Sequence, residues 1–248
     1  MNFLSETATW LTNPVNWDGP NGIPARLAEH LEISVVVMIV AIAIALPVGL
    51  FIGHARRGAT LAVGLANIGR AVPTFAMMGI IAPFTQAIDP GNGFGLYPTI
   101  LAMIILAIPP ILVNTYAGVS EVDRDLVEAV RGMGFRGGGV LRDIEIPLAL
   151  PVIVGGIRSA AVQVIATTTL GAIFGIGGLG RFVVDGIAQN DDGMLFGGVV
   201  LVAGLAMLSE LLLSRVQRVS RTSGGGASGP RPFLRPAEAP RPPATLGA

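Results

Sequence analysis

"LEISVVVMIVAIAIALPVGLFIG", residues 31–53, has one charged residue, Glu32, and then runs apolar to His54. At about 1.5 Å per residue a helix of this length spans roughly 30 Å of hydrocarbon. Lipid offers no partner to backbone N–H and C=O groups, so the run reads as a membrane helix. Pro47 is expected to bend it. "HARRG", 54–58, closes it with a basic stop.

The rest of the chain has the same character. Of 248 residues, 52 % are hydrophobic and only 13 % charged, against about 25 % in ordinary soluble domains. Mean hydropathy is +0.69. The 34 glycines and 18 prolines suit membrane helices better than soluble ones. All 16 basic residues are arginine, and there is no cysteine, which excludes disulfides and thiolate chemistry. His30 and His54 flank the first apolar run and cannot cluster around a metal.

Four further spans follow. "TLAVGLANIGRAVPTFAMMGIIAPF", 60–84, reads as interfacial helix to Arg70, with the crossing from about Ala71 to Phe84. Here Phe75, Met77 and Met78 read as packing residues before pathway lining. "TQAIDPGNGFG", 85–95, is a turn-rich loop. The third span, 96–118, is expected to break near Pro109 and Pro110. The fourth runs from near Pro147 to Phe174 with Arg158 inside it, and the fifth covers 194–214. Between the last two, 175–193 forms a loop with room for a short amphipathic helix. The expected fold is an all-α integral membrane bundle of about five transmembrane helices. Its parts are an N-terminal segment (1–28), a transmembrane domain (29–218), and a disordered tail (219–248) rich in Gly and Pro. Residues 1–28 lack the basic start and apolar core of a cleaved signal.

Five spans put the termini on opposite sides. Arg56, Arg57, Arg124, Arg131, Arg136, Arg142, Arg215, Arg218 and Arg221 fall on one face. Arg26, Arg181 and five aspartates fall on the other. The positive-inside rule then places the amino terminus outside and the carboxyl terminus in the cytoplasm.

The densest charged stretch, "EVDRDLVEAVRGMGFRGGGVLRDIEIPLALP", 121–151, separates spans three and four. Leu126, Val130 and Met133 recur at helical spacing and predict one apolar stripe, with Arg124 and Glu128 able to pair across one turn. Gly132 and Gly134 predict a tight turn. Pro147 suits the first turn of the next helix. By residues alone, this is equally a charged loop held against its own bundle or a helical elbow offering apolar residues to a partner.

Glu128-Ala129-Val130, three residues, Gly134, nine residues, Ile144, one residue and Ile146-Pro147 resemble the cytoplasmic motif of membrane subunits of binding-protein-dependent ABC importers. The family pattern is Glu-Ala-Ala, three residues, Gly, nine residues, Ile-x-Leu-Pro. The spacing matches, and Val130 and Ile146 replace Ala and Leu. "GGG" at 137–139 departs from the bulkier residues often found there. The resemblance covers about residues 22–217 and is strongest to the osmoprotectant branch, through "NGIPARLAEHLEIS", "AIPPILVNTYAGVSEVD", "IPLALPVIVGGIRSA" and "TLGAIFGIGGLGRFVVDGI".

The resemblance implies a type I importer permease in a bacterial inner membrane. Its loop, at about 119–146, docks on a cytoplasmic ATPase dimer through Glu128, Ala129, Val130, Gly134, Phe135, Ile144, Ile146 and Pro147. The implied partners are that ATPase, a second permease subunit (same or homologous) and an external solute-binding protein, with no nucleic acid. The implied cargo is an osmolyte such as glycine betaine, choline or carnitine, or alternatively an amino acid such as methionine.

The chain has no lysine and so no GxxxxGK[ST] loop; ATP and Mg belong to the partner, and no cofactor is expected on this chain. It is read as a non-catalytic subunit, since the spans show no paired aspartates, HExxH or Ser–His pair. A channel working without ATP is disfavoured by the elbow. "GIGGLG", with Gly175, Gly177, Gly178 and Gly180, lacks the βαβ context of a dinucleotide site and reads as tightly packed backbone near the outer mouth. Arg158, about 16 Å into its helix, is expected to find an acidic or carbonyl partner on another helix in preference to solute. The glycines at 155–156, 197–198 and 204 are candidates for subunit contact.

Overall fold

The computed structural model describes residues 3–58, 60, 63–64 and 72–223, with side chains to Val219. The elements are α1 (Phe3–Thr12), a 3-10 turn (Pro14–Trp17), α2 (Ile23–Ala55), α3 (Thr74–Ile88), α4 (Leu96–Ser120), α5 (Arg124–Gly132) and α6 (Gly137–Val140). A π turn (Leu141–Glu145) leads into α7 (Ile146–Thr168) and a 3-10 segment (Thr169–Phe174), followed by α8 (Gly180–Gln189) and α9 (Asp192–Ser223). No strand occurs among the described residues. The reading of Arg70 and residues 65–71 falls outside them, as does that of the tail from residue 224.

Four stretches are long and apolar enough to cross a membrane: Ile23–Ala55, Leu96–Ser120, Gly137–Phe174 and Asp192–Val219; Thr74–Ile88 is a shorter apolar helix. This is the all-α bundle expected. Three details differ from the expectation. α2 starts at Ile23, with Pro24 in its first turn, well before the apolar run. α4 passes through Pro109 and Pro110 without a break; membrane helices tolerate proline because neighbouring groups re-satisfy the backbone. α9 extends to Ser223, past the expected end of the fifth span at 214 and into the first residues of the tail expected to be disordered from 219.

α4 is the centre of the bundle. Of its most apolar window 56 % is buried, against 11 % for α9. Its Met103, Ala107 and Ile111 meet Val37, Ala41 and Ala45 of α2, Met78 and Ala82 of α3, and Ala160 and Val164 of α7. Met78 is thus a core residue, while Phe75 is half exposed and stacks near Phe174 at 5.5 Å. Small residues set the spacing, as they must where lipid and side chain are equally apolar. A methyl added to Gly53 would lie 2.7 Å from Val119 Cβ, and one added to Gly156 2.6 Å from Asn114 Cβ.

The glycines expected at a subunit contact are mostly used inside the chain. Gly155 faces Gln217, Gly197 lies under the Trp10 ring and Gly198 faces Phe182; Gly204 alone among the five opens onto free space. The N-terminal segment is likewise packed: α1 lies on α9, with Phe3–Phe196 and Trp10–Phe182 centroids each 5.1 Å apart.

The two ends of the bundle are distinct. At one, Glu29 of α2 meets the glycine turn before α8, and the 89–95 loop is held by Asp89, whose side chain accepts from Gly91 N–H at 2.9 Å. That Gly91 donor, with Asn92, keeps the exposed Asp89 carboxyl below its ordinary pKa. At the other end lie the C-terminus of α2, the 121–147 elbow and the last turns of α9, where Gln217 donates to the Pro151 carbonyl. Arg56, Arg124 and Arg131, three of the basic residues assigned to one face by alternation, lie together there.

Candidate functional site: the charged elbow

The elbow begins with a built cap. The Asp123 side chain accepts the Asp125 N–H at 2.9 Å and starts α5. At the other end Gly134 has φ +94°, Gly134 N–H donates to Arg131 O, and Phe135 N–H reaches back to Val130 O. This left-handed stop is one that glycine adopts without penalty and a β-carbon opposes. Nothing lies within 4 Å of where a Gly134 Cβ would sit, so conformation, not crowding, requires the glycine.

The faces of α5 differ from the predicted stripe. Val130 is buried, together with Val127, Val122 and Val140, with Ile144 packed against them. Leu126 and Met133, expected on the same stripe, point away and are 41 % and 71 % exposed. The reason is the returning chain: α6 lays Val140 against the Val127/Val130 side, so that side faces inward. Glu128, Ala129, Gly134 and Phe135 are exposed, Ile144 and Ile146 are half-buried, and Pro147 is exposed. The structure thus gathers the motif into one elbow, with Val130 as its inner anchor and Leu126, Met133 and Phe135 as an outward apolar rim. Arg124 and Glu128 form no ion pair; such a pair at the surface is worth only a few tenths of a kcal/mol.

The second arm is not separate from the fourth span. α6, the π turn and α7 are continuous helix, with Ile146 N–H donating to Leu141 O across the wide turn. Pro147 explains it. A proline has no N–H and its ring collides with the carbonyl four residues earlier, and one extra residue in the turn relieves both problems. The prediction that Pro147 opens the next α-helix holds, but that helix is continuous with the elbow.

Two contacts from the end of α2 were not foreseen. His54 Nδ1 and Glu145 Oε2 share a hydrogen bond of 2.5 Å, with the Glu145 side chain 1 % exposed. Arg56 Nη2 donates to the Val122 carbonyl at 2.9 Å, from a residue whose own backbone is left-handed at φ +50°. A cavity of about 470 Å³ lies between these residues and Arg124, Glu128 and Arg131 of α5. The sequence signal was present: Glu145 is the one charge between Ile144 and Ile146, and His54 ends an apolar span.

The other predicted residues lie elsewhere. Arg158 Nη1 is 3.4 Å from Glu210 Oε1 of α9, the acidic interhelix partner expected for it. Glu210 itself was overlooked, although a lone carboxylate in "MLSELLLS" signals such a pairing. The glycine turn is packed backbone at the opposite end: Gly178, at φ +91°, donates its N–H to Glu29 Oε2 at 2.8 Å, while Gly177 abuts the same carboxylate and Gly180 the Thr169 carbonyl.

The described residues thus form a helical membrane bundle that projects an apolar-rimmed elbow between two spans. Residues 45–221 match the family described as binding-protein-dependent transport system inner membrane component, and the chain belongs to that family. It is 36 % identical over 189 residues to the carnitine transport permease protein OpuCB of Listeria monocytogenes, covering 76 % of this chain and 84 % of that one. It is 35 % identical over 196 residues to the osmoprotectant import permease protein OsmW of Salmonella typhimurium, covering 79 % and 90 %. Among solved structures it resembles the inward-facing methionine ABC transporter MetNI, with TM-score 0.69, 26 % identity, and coverage of 78 % of this chain and 93 % of that one. The fold is therefore that of a type I ABC importer permease, and the chain is a multi-pass transport subunit.

Proposed function

We propose that this chain forms the translocation path of an ATP-driven importer of osmoprotectants such as glycine betaine, choline or carnitine, and passes to that path the motion of a separate ATPase. The observation that carries the coupling role is the outward rim of Leu126, Met133 and Phe135 around the Gly134 turn. Exposed apolar side chains on a short charged helix outside the spans call for a protein groove. Glu128 and Ala129 lie beside that rim, while Val130, Ile144, Ile146 and Pro147 fix its angle to α7.

The substrate class is supported by relatives whose names specify carnitine, choline and glycine betaine. A quaternary ammonium cargo is best recognised by aromatic faces, and only 6 % of this chain is aromatic, so its selectivity belongs to an external binding protein. ATP and Mg bind the ATPase dimer. A second permease copy or homologue completes the path. The amino terminus lies outside and the carboxyl terminus in the cytoplasm of a bacterial inner membrane, as the arginine distribution favours. On this reading residues 1–28 are external, the transmembrane unit covers 29–218 and the tail from 219 is cytoplasmic.

The test is reconstitution of the complex in liposomes with its ATPase and binding protein. ATP-dependent uptake of labelled glycine betaine, competed by choline or carnitine and not by methionine, is the expected result. Competition by methionine alone moves the chain to the amino-acid branch; uptake without ATP removes the importer reading.

A further inference from the structure

We propose that the last turn of α2 is a two-pronged clamp that positions both arms of the elbow, and so ties the first span to the movement of the coupling loop. This rests on the reading of residues 119–146 as the ATPase-docking loop.

The prongs are His54 and Arg56. Arg56 holds the entry of the elbow, by its hydrogen bond to the Val122 carbonyl just before α5. His54 holds the exit, by its bond to Glu145 in the π turn just before α7. Between these anchor points, 122 and 145, lies the whole of the exposed elbow. The same imidazole meets α6 as well: a methyl on Gly137 would approach His54 Nε2 to 3.3 Å. This explains a small residue at that position where a helix start alone would not require one.

Three further observations mark the contact as built. Glu145 is buried between the half-buried Ile144 and Ile146, and a buried carboxylate is retained only where a partner holds it. Arg56 occupies a left-handed backbone conformation that a side chain bearing a β-carbon resists, and that conformation ends α2 with its guanidinium on Val122. α2 and α4 are also packed through Gly53 against Val119, only three residues before Val122. A displacement of the elbow cannot leave α2 behind without breaking both bonds. His54, Glu145 and Arg56 are positioning residues, touching neither nucleotide nor solute.

The experiment uses the reconstituted complex and the ratio of glycine betaine taken up to ATP hydrolysed. His54→Ala and Glu145→Met are each expected to lower that ratio about fivefold or more, and the double variant to fall no further than the worse single, because the two act through one contact. His54→Gln, whose amide reaches the same carboxylate, restores most of the ratio. Arg56→Gly, which keeps the left-handed backbone and removes the guanidinium, lowers the ratio independently, so its effect adds to that of His54→Ala.

An unchanged ratio in His54→Ala and Glu145→Met overturns the clamp, as do losses that simply add between them. Failure of all His54 variants to assemble also overturns it, by assigning the contact to folding. Phe135→Cys, introduced beside the clamp variants, separates the two readings. If it cross-links to the ATPase while the ratio stays unchanged, the clamp alone fails. If it never cross-links, the docking reading fails first.

Discussion

Arg158 Nη1 of α7 lies 3.4 Å from Glu210 Oε1 of α9, an ion pair between helices in apolar sequence on both sides. Arg158 Nε is buried without a hydrogen-bond partner, so the Glu210 carboxylate beside Nη1 is what compensates this guanidinium. Charges at such depth are tolerated chiefly when paired.

Glu210→Leu is therefore expected to destabilise the chain by about 1–2 kcal/mol, and the double replacement Arg158→Leu with Glu210→Leu to recover most of that loss. Thermal unfolding in detergent checks both. A double variant no more stable than Glu210→Leu shows that the pair is not the coupling between these helices.

Gly134 has open space around it and a positive φ, which separates two explanations of its need. Gly134→Val should strain the turn by about 1–2 kcal/mol and reduce solute-stimulated ATPase without lowering membrane insertion. Gly134→Asn, which tolerates a left-handed backbone, should retain most activity. Equal damage from both variants means that bulk at the docking face is the operative factor.

The outward rim predicts partner loss without misfolding. Phe135→Ser, at a residue 43 % exposed, should leave the permease melting temperature unchanged and weaken ATPase retention by about 1–3 kcal/mol. Co-purification at graded detergent and salt measures it. Full retention removes Phe135 from the docking surface.

Glu128→Cys and Gln189→Cys place single thiols at the two ends of the bundle, on a background with no native cysteine. In oriented cells, a membrane-impermeant maleimide should label position 189 and leave 128 unlabelled until the membrane is opened. The reverse pattern inverts the topology.

The spans were legible because lipid leaves a long apolar run few alternatives to helix, and the elbow because a glycine turn and a following proline punctuate it. Burial within the elbow was not. Helical spacing grouped Leu126 with Val130, yet the inward face was decided by Val140, which returns from beyond the turn. The helix through Pro109 and Pro110 defeated a rule formed in water, where a freed carbonyl has no neighbouring helix to answer it. His54, Glu145 and Glu210 were visible as isolated polar residues, but pairing them needed the three-dimensional order of α2, α7 and α9.

The π turn that absorbs Pro147 has a mechanical result. With α6, α7 and the 3-10 segment in one uninterrupted stretch of 38 residues, Gly137–Phe174, the piece is roughly 57 Å long at 1.5 Å per residue. Pivoting such a beam by about 5° at the elbow sweeps its far tip through about 5 Å. That tip adjoins the glycine turn at Gly175, at the opposite end of the bundle from the elbow.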